Sequence, residues 1–193
     1  TPGLGYYARG DRQFGTMPTS GSDFVTAPEL SPLFGRALAV QVAQALDATG
    51  THEVWEFGAG SGALAAQLLD ALGDRVRAYH VVDLSAVLRQ RQQARLQAWA
   101  GRVHWHDTLP DRLFGVVVGN EVLDAMPVQL LYFDGDAWHE RGVAWHAGGF
   151  TYADRPSGLR PPHDGPFVPG TVTEIHPQAE AFIGSLATHL AHG

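Results

Sequence analysis

The chain has 193 residues, 45% of them hydrophobic and 17% charged, with a formal net charge of −7, no cysteine and no lysine. That length fits one domain, since domains run about 100–200 residues. Disulfides, thiolate chemistry and cysteine-ligated zinc are excluded, and an acidic chain without a basic cluster argues against nonspecific binding of nucleic acid or of an anionic membrane surface.

The first 25 residues read as loop, with Gly, Thr, Ser and Asp crowded into Gly15–Asp23. The segment Thr26-Ala27-Pro28-Glu29-Leu30-Ser31-Pro32 predicts a turn, with Ser31 capping a helix that carries Pro32 at its first position. Phe34, Leu38, Val42 and Leu46 recur at helical spacing, and Gly50 is the expected stop. A short strand follows at Glu53–Phe57, then Gly58-Ala59-Gly60-Ser61-Gly62. The next helix has Leu64, Leu68 and Leu72 on one face and ends at Gly73. A second strand over Ala78–Val82 ends on Asp83, and Ser85 caps a polar helix reaching Trp99. A third strand covers Val103–His106, and a fourth, Gly115–Val118, is apolar throughout, as a central parallel strand should be. This alternation implies a parallel α/β sheet with right-handed crossovers.

The pattern then changes. Gln129–Phe133 and Ala137–Val143 flank Asp134-Gly135-Asp136 and predict a hairpin. A Gly148-Gly149 turn starts a further strand at Phe150–Tyr152, and Arg155–Gly170, rich in Pro and Gly, reads as a long loop. A strand at Val172–Ile175 leads into a last helix with Ala179, Phe182, Leu186 and Leu190 on one face. No internal repeat is evident, and no apolar run approaches the roughly 20 residues that span a bilayer. The first residues, Thr1-Pro2-Gly3-Leu4-Gly5, lack both a Met and the basic-then-apolar build of a signal peptide, and a processed or cut chain is expected.

The residues with the most chemical content are Val54-Trp55-Glu56-Phe57-Gly58-Ala59-Gly60-Ser61-Gly62. Three alternating glycines between a strand and a helix let a ligand approach the backbone, where the helix presents free N–H groups. The spacing is G-x-G-x-G, not the G-x-G-x-x-G of a dinucleotide fingerprint. Glu56 would repel a pyrophosphate and attract an ammonium group, which points to an amino-acid nucleoside without phosphates. Asp83, closing the second strand, sits where a carboxylate can accept from both ribose hydroxyls, or it is a helix cap or Asx-turn. Asp107, after the third strand, either receives the adenine amino group or belongs to an ordinary turn before Pro110. Asn120, Glu121 and Asp124 leave the carboxyl end of the fourth strand, where open α/β sheets bind ligands. The alternative is that Asn120 caps a helix and the acids are solvated. Glu29 either faces the active site or is an acid in a helix's first turn. His104 and His106 alternate on one strand with no third ligand at a recognisable spacing, so no metal site is expected. No hydrolase pattern surrounds Ser61.

Together these segments resemble the MidA-like methyltransferases, a family that includes a mitochondrial complex I assembly factor that methylates arginine. The matching pieces are Gly5-Tyr6-Tyr7, the run from Asp23 through Thr26-Ala27-Pro28-Glu29 to Gly35, Glu56–Gly62, Gly119-Asn120-Glu121-Val122-Leu123-Asp124-Ala125-Met126-Pro127 and Thr173–Glu180. The resemblance implies a Rossmann-like, class I methyltransferase sheet of seven strands with helices on both faces and a β-hairpin insertion. It assigns residues 1–32 to a substrate-side segment, 33–128 to the cofactor-binding core, 129–170 to the insertion, and 171–193 to a strand and helix. It implies S-adenosylmethionine as methyl donor, S-adenosylhomocysteine as product and a protein substrate, a respiratory complex subunit among the options. Glu56, Gly58, Gly60, Gly62, Asp83, Leu84, Asp107 and Asn120 would hold the cofactor, and Glu29, Asn120, Glu121 and Asp124 would serve the reaction. Family members begin earlier and run further, so the C-terminal strands are expected to be missing and the chain to be a portion of a larger enzyme.

Methyl transfer to a nitrogen, an arginine guanidinium in particular, is therefore the leading expectation. An assembly chaperone that keeps the cofactor site without turnover is the alternative, and a nicotinamide-dependent enzyme a third. Exclusive use of Arg, with abundant Ala and Gly, reads as GC-rich coding and places the protein in a bacterial cytoplasm, or in mitochondria for a eukaryotic source.

Overall fold

The computed structural model describes residues 25–83 and 85–193, so Gly5-Tyr6-Tyr7, Asp23-Phe24 and Leu84 lie outside the described residues. The chain divides into two units, one running to Val122 and including Thr188–Gly193, the other Leu123–Ala187.

The first unit is built from α1 (Ala27–Leu30), α2 (Pro32–Thr49), β1 (Glu53–Phe57), α3 (Ala63–Leu72), β2 (Ala78–Val82), α4 (Ala86–Arg95), β3 (Val103–His106), β4 (Leu113–Phe114) and β5 (Val116–Gly119). Local chemistry sets most of the boundaries. The Ser31 hydroxyl accepts from the Leu33 N–H at 3.1 Å, and Pro32 opens α2 where a missing N–H costs nothing. Gly50 ends that helix with φ 63°, a left-handed conformation that favours glycine. Ser85 caps α4 through the Leu88 N–H, and a short 3-10 turn at Gln97–Trp99 carries the chain on toward β3.

The strands lie in the order β3-β2-β1-β5, and every neighbouring pair is parallel. Val54, Tyr79, Val81, Val103 and Val118 project from one face of this sheet and pack with Ala39, Val42 and Leu46 of α2 and Leu64, Leu68 and Leu69 of α3. Each buried Leu contributes roughly 1.5–3 kcal/mol. The pleat sends Trp55, His80 and His106 to the other face, where Trp55 stacks on His80 with centroids 3.8 Å apart.

The second unit is an antiparallel sheet of β6 (Gln129–Phe133), β7 (Trp138–His146), β8 (Gly149–Pro156) and β9 (Val172–Ile175), ordered β8-β7-β6-β9, followed by α5 (Pro177–His189). Its core is Leu131, Trp138 and Ile175, with Phe133, Leu159 and Phe167 against them. Asp134 closes the β6–β7 turn by accepting from the N–H groups of Asp136 and Ala137, both at 2.8 Å. These backbone bonds, joined by the one from His139, hold its carboxyl down at about 2. Val143, Trp145, Phe150 and Tyr152 stand exposed on the β7–β8 arm.

Four local expectations and one alternative reading, Asn120 as a helix cap, need correction. The turn expected at Thr26–Pro32 contains the one-turn helix α1, because the N–H groups of Glu29 and Leu30 both find the Thr26 carbonyl. The fourth parallel strand is Val116–Gly119, shifted from Gly115–Val118, since Gly115 adopts φ 106° and leaves no room for a Cβ beside the Glu53 carbonyl. The strand at Phe150–Tyr152 extends over Gly149–Pro156, because the long partner β7 offers it a full ladder. No helix follows β5, so Asn120 is not a cap. The last helix stops at His189, and Leu190 belongs to a strand, β10 (Leu190–His192), which pairs in parallel with β4. The Gly115 N–H donates to the His192 carbonyl at 2.8 Å and the His192 ring meets the Thr49 carbonyl at 2.7 Å, long-range bonds that outcompete another helical turn.

Candidate functional site

Register brings the ends of the parallel strands together. Phe57 pairs with Val82 on one side and Gly119 on the other, and Val82 pairs with His106. Gly58, Asp83, Asp107 and Asn120 therefore leave the sheet along one edge, its carboxyl end, where ligands of open α/β sheets bind. Gly58, Gly60 and Gly62 take φ of 63°, 54° and 80°. The Gly62 N–H closes the loop by donating to the Ala59 carbonyl at 2.8 Å, and α3 begins at the next residue. A Cβ on Gly60 would meet no atom within 4 Å, so that backbone borders open space.

The individual side chains are disposed as follows. Glu29 of α1 accepts from the Ser61 hydroxyl and, at 3.0 Å, from Arg95, which also donates to Ser61 at 2.6 Å. The Thr-Ala-Pro-Glu segment is thus fastened to the glycine loop, and Gln67 fastens it again by donating to the Pro28 carbonyl at 2.6 Å. Pro28, Glu29, Gln67 and Arg95 border a cleft of about 360 Å³. Glu56 is 2% exposed and accepts from the Tyr79 hydroxyl at 2.6 Å. Burial pushes its carboxyl up to about 7, with the Asp83 charge adding to the rise and the Tyr79 bond opposing it. Asp83 accepts from the Ser85 N–H at 2.9 Å and from Gln92 at 2.8 Å. Its Asx-turn is therefore present together with its place on the edge.

Asp107 is exposed and paired with Arg89. Asn120 is half-buried beside the end of β1, whereas Glu121 is exposed with φ 53°. A left-handed conformation costs a non-glycine residue roughly 1–2 kcal/mol, and such strain concentrates at functional positions. Asp124 lies in the second unit, exposed on the turn closed by the bond from the Met126 N–H to the Leu123 carbonyl.

His80 and His106 do meet, at 2.9 Å, with Glu53 a further 3.3 Å from His80. Burial, reinforced by His106 and His104, lowers the His80 pKa to about 4, so the ring is neutral near pH 7 and its contact with Glu53 is not an ion pair there. Among the described residues no three potential ligands converge on a metal position, and no helix is long and apolar enough to cross a membrane.

One residue escaped the sequence reading. Gln92 is fully buried, with its side chain against both the glycine loop and Asp83. A signal was present: Leu88, Gln92 and Leu96 follow one another at helical spacing on the buried stripe of α4 and its continuation, and a polar residue in such a stripe needs partners.

Comparison with known proteins places this geometry. The family model Methyltransf_28, described as "Putative S-adenosyl-L-methionine-dependent methyltransferase", matches residues 37–193. A Burkholderia thailandensis protein crystallised with S-adenosyl-homocysteine superposes with a TM-score of 0.87 at 50% identity, covering 100% of this chain and 53% of that one. A native crystal structure of a protein of the same superfamily and organism gives 0.78 at 49% identity, covering 99% of this chain and 51% of that one. The mitochondrial protein arginine methyltransferase NDUFAF7 homolog of Caenorhabditis elegans is 31% identical, covering 72% of this chain and 38% of the relative. This chain thus spans well under half the length of that relative and about half of the solved structures. On these matches the chain belongs to the Methyltransf_28 family, described as "Putative S-adenosyl-L-methionine-dependent methyltransferase".

Proposed function

We propose that this protein binds S-adenosylmethionine at the carboxyl edge of the parallel sheet and takes part in methylating a nitrogen of a protein substrate, an arginine guanidinium in particular. The observation that carries the reading is the single row of Gly58–Gly62, Asp83, Asp107 and Asn120 along that edge, with open space over Gly60. The Burkholderia structure with bound S-adenosyl-homocysteine supports the cofactor, and the name of the nematode relative supports arginine.

S-adenosylmethionine supplies a methyl group already activated on a sulfonium. The residues present fit such a cofactor: a glycine loop whose backbone at Gly60 borders open space, and a carboxylate at the end of β2 for the ribose. Asp83, fixed by Ser85 and Gln92, is oriented to accept from ribose hydroxyls. Glu56 sits beneath this edge as a carboxyl poised near neutrality, and a neighbouring ammonium favours its ionised form. Transfer forms a nitrogen–carbon bond, breaks the sulfur–carbon bond and leaves a proton on the nitrogen to be removed. An arginine nucleophile holds that proton tightly, with a pKa above about 12. Glu29 and Glu121 are the carboxylates we assign to orient the guanidinium and accept the proton, and Asn120 to position the reacting groups. Alignment of this kind supplies roughly 7–11 kcal/mol of a barrier.

The test is calorimetry with S-adenosylhomocysteine followed by transfer of a labelled methyl group to cell protein. Asp83→Ala is expected to weaken binding by about 10- to 100-fold, the equivalent of the roughly 1.5–3 kcal/mol of a hydrogen bond to a charged group. Undiminished affinity would remove Asp83 from the ribose. Binding without labelling, in wild type, would leave the assembly-chaperone reading standing in place of the enzyme.

A further inference from the structure

We infer that Gln92 is a positioning residue for the cofactor site, a brace that holds the Asp83 carboxylate and the glycine loop in one fixed geometry; the inference rests on the reading of Asp83 as the ribose acceptor.

The side chain is 0% exposed, and both ends of its amide are engaged. Nε2 donates to the Gly60 carbonyl at 3.0 Å and to Asp83 Oδ2 at 2.8 Å, using both of its hydrogens. Oε1 accepts from the Trp105 indole N–H at 3.1 Å. The indole can only donate, so it must face the amide oxygen. The orientation of the amide is thereby decided: with Oε1 turned to β3, Nε2 is turned to the loop and to Asp83. Flipping the amide would oppose two N–H groups at Trp105 and bring an oxygen against a carboxylate and a carbonyl.

The consequences reach two parts of the site. Asp83 Oδ2 is held by Gln92 and Oδ1 by the Ser85 N–H, so the carboxylate plane is defined from both sides. Gly60 lies at the middle of the glycine loop, where the backbone borders open space, and the same amide anchors its carbonyl. The fit extends to Gly62, whose added Cβ would come within 3.4 Å of the Gln92 Cα. An apolar residue in this stripe would pack as well against Leu88 and Leu96 but could join neither group. A buried glutamine that merely satisfies its own polarity would not need to link the loop to the acid, and the two roles differ in what they predict.

The experiment is a double-mutant cycle on the full chain, read by calorimetry with S-adenosylhomocysteine. Gln92→Met keeps the length of the side chain and removes the amide. It should lower affinity by about tenfold, as loss of one hydrogen bond to a charged group implies, and cost distinctly less in the Asp83→Ala background, where only the Gly60 anchor is left to lose. Trp105→Phe, which leaves Gln92 in place without its orienting donor, should shift affinity in the same direction by a smaller factor, and it carries the cycle if Gln92→Met does not fold. In turnover, KM for S-adenosylmethionine should rise while kcat changes little. Losses that multiply independently in the double variant, or a lowered Tm with unchanged affinity, would overturn the brace while leaving the ribose assignment intact. A wild-type chain that binds no S-adenosylhomocysteine would overturn both.

Discussion

Two titratable groups, Glu56 buried and His80 half-buried, tie single residues to the behaviour of the first unit. Glu56 has its carboxyl raised from 4.5 to about 7, chiefly by burial. Between those values the folded chain holds a proton that the unfolded chain has released, so stability falls as pH rises through that window. His80 acts in the opposite sense. Its pKa is lowered from 6.5 to about 4, so below 6.5 the unfolded chain takes up a proton that the fold refuses, and stability falls as pH drops toward 4. The two slopes offset each other in wild type. Glu56→Gln removes the first, and the urea midpoint should then climb more steeply between pH 4.5 and 7 than in wild type. Parallel curves for the two proteins would place the Glu56 carboxyl elsewhere. At Gly60 the constraint is conformational. With φ 54° and no neighbour within 4 Å, a side chain there meets no clash but must adopt a left-handed backbone. Gly60→Val should cost roughly 1–2 kcal/mol of stability and abolish binding of S-adenosylhomocysteine, and native affinity in a titration would contradict the cradle.

At the scale of elements, α3 connects the loop to the core. Its N-terminus begins at Gly62, and Leu64, Leu68 and Leu69 lie in the core formed with α2 and the parallel sheet. Leu68 is 0% exposed, so Leu68→Ala leaves a cavity as well as losing transfer energy. Such replacements cost about 2–5 kcal/mol. Chemical denaturation should show that loss without a change in the slope against denaturant, and a cost under about 1 kcal/mol would mean that the site collapses around the smaller side chain. The short α1 shows a different kind of element. Four residues cannot hold a helix by themselves, and Glu29 and Pro28 are held by Ser61, Arg95 and Gln67.

For the whole molecule, ligand linkage separates the two units. A ligand that binds only folded protein stabilises it by about 2.7 kcal/mol at 100 times its Kd. S-adenosylhomocysteine at such a concentration should raise the melting transition of the unit that carries Gly58–Gly62 and Asp83. Any separate transition of the antiparallel unit, followed through the buried Trp138, should stay where it was. A shift of the second transition alone would move the binding site off the parallel sheet.

Local signals determined much of this by themselves. Ser31, Gly50, Gly73 and Ser85 sit at helix ends in the sequence and in the structure, because caps act through atoms two to four residues away. The alternation of apolar strands with amphipathic helices implied a parallel sheet, and the glycine spacing with Asp83 implied the edge at which a cofactor would sit. What tertiary structure decided depends on partners distant in sequence. Val172–Ile175 reads as a strand, but only pairing with β6 makes it antiparallel. Leu190 fits the apolar stripe of α5, yet it becomes strand because β4 and Gly115 offer backbone partners. Glu29 meets Ser61 across 32 positions, and Gln92 reaches Gly60 across the same interval. No periodicity encodes such pairings: a hydrogen bond across a folded chain depends on where two elements come to rest, and the residue type states only that a partner must be found.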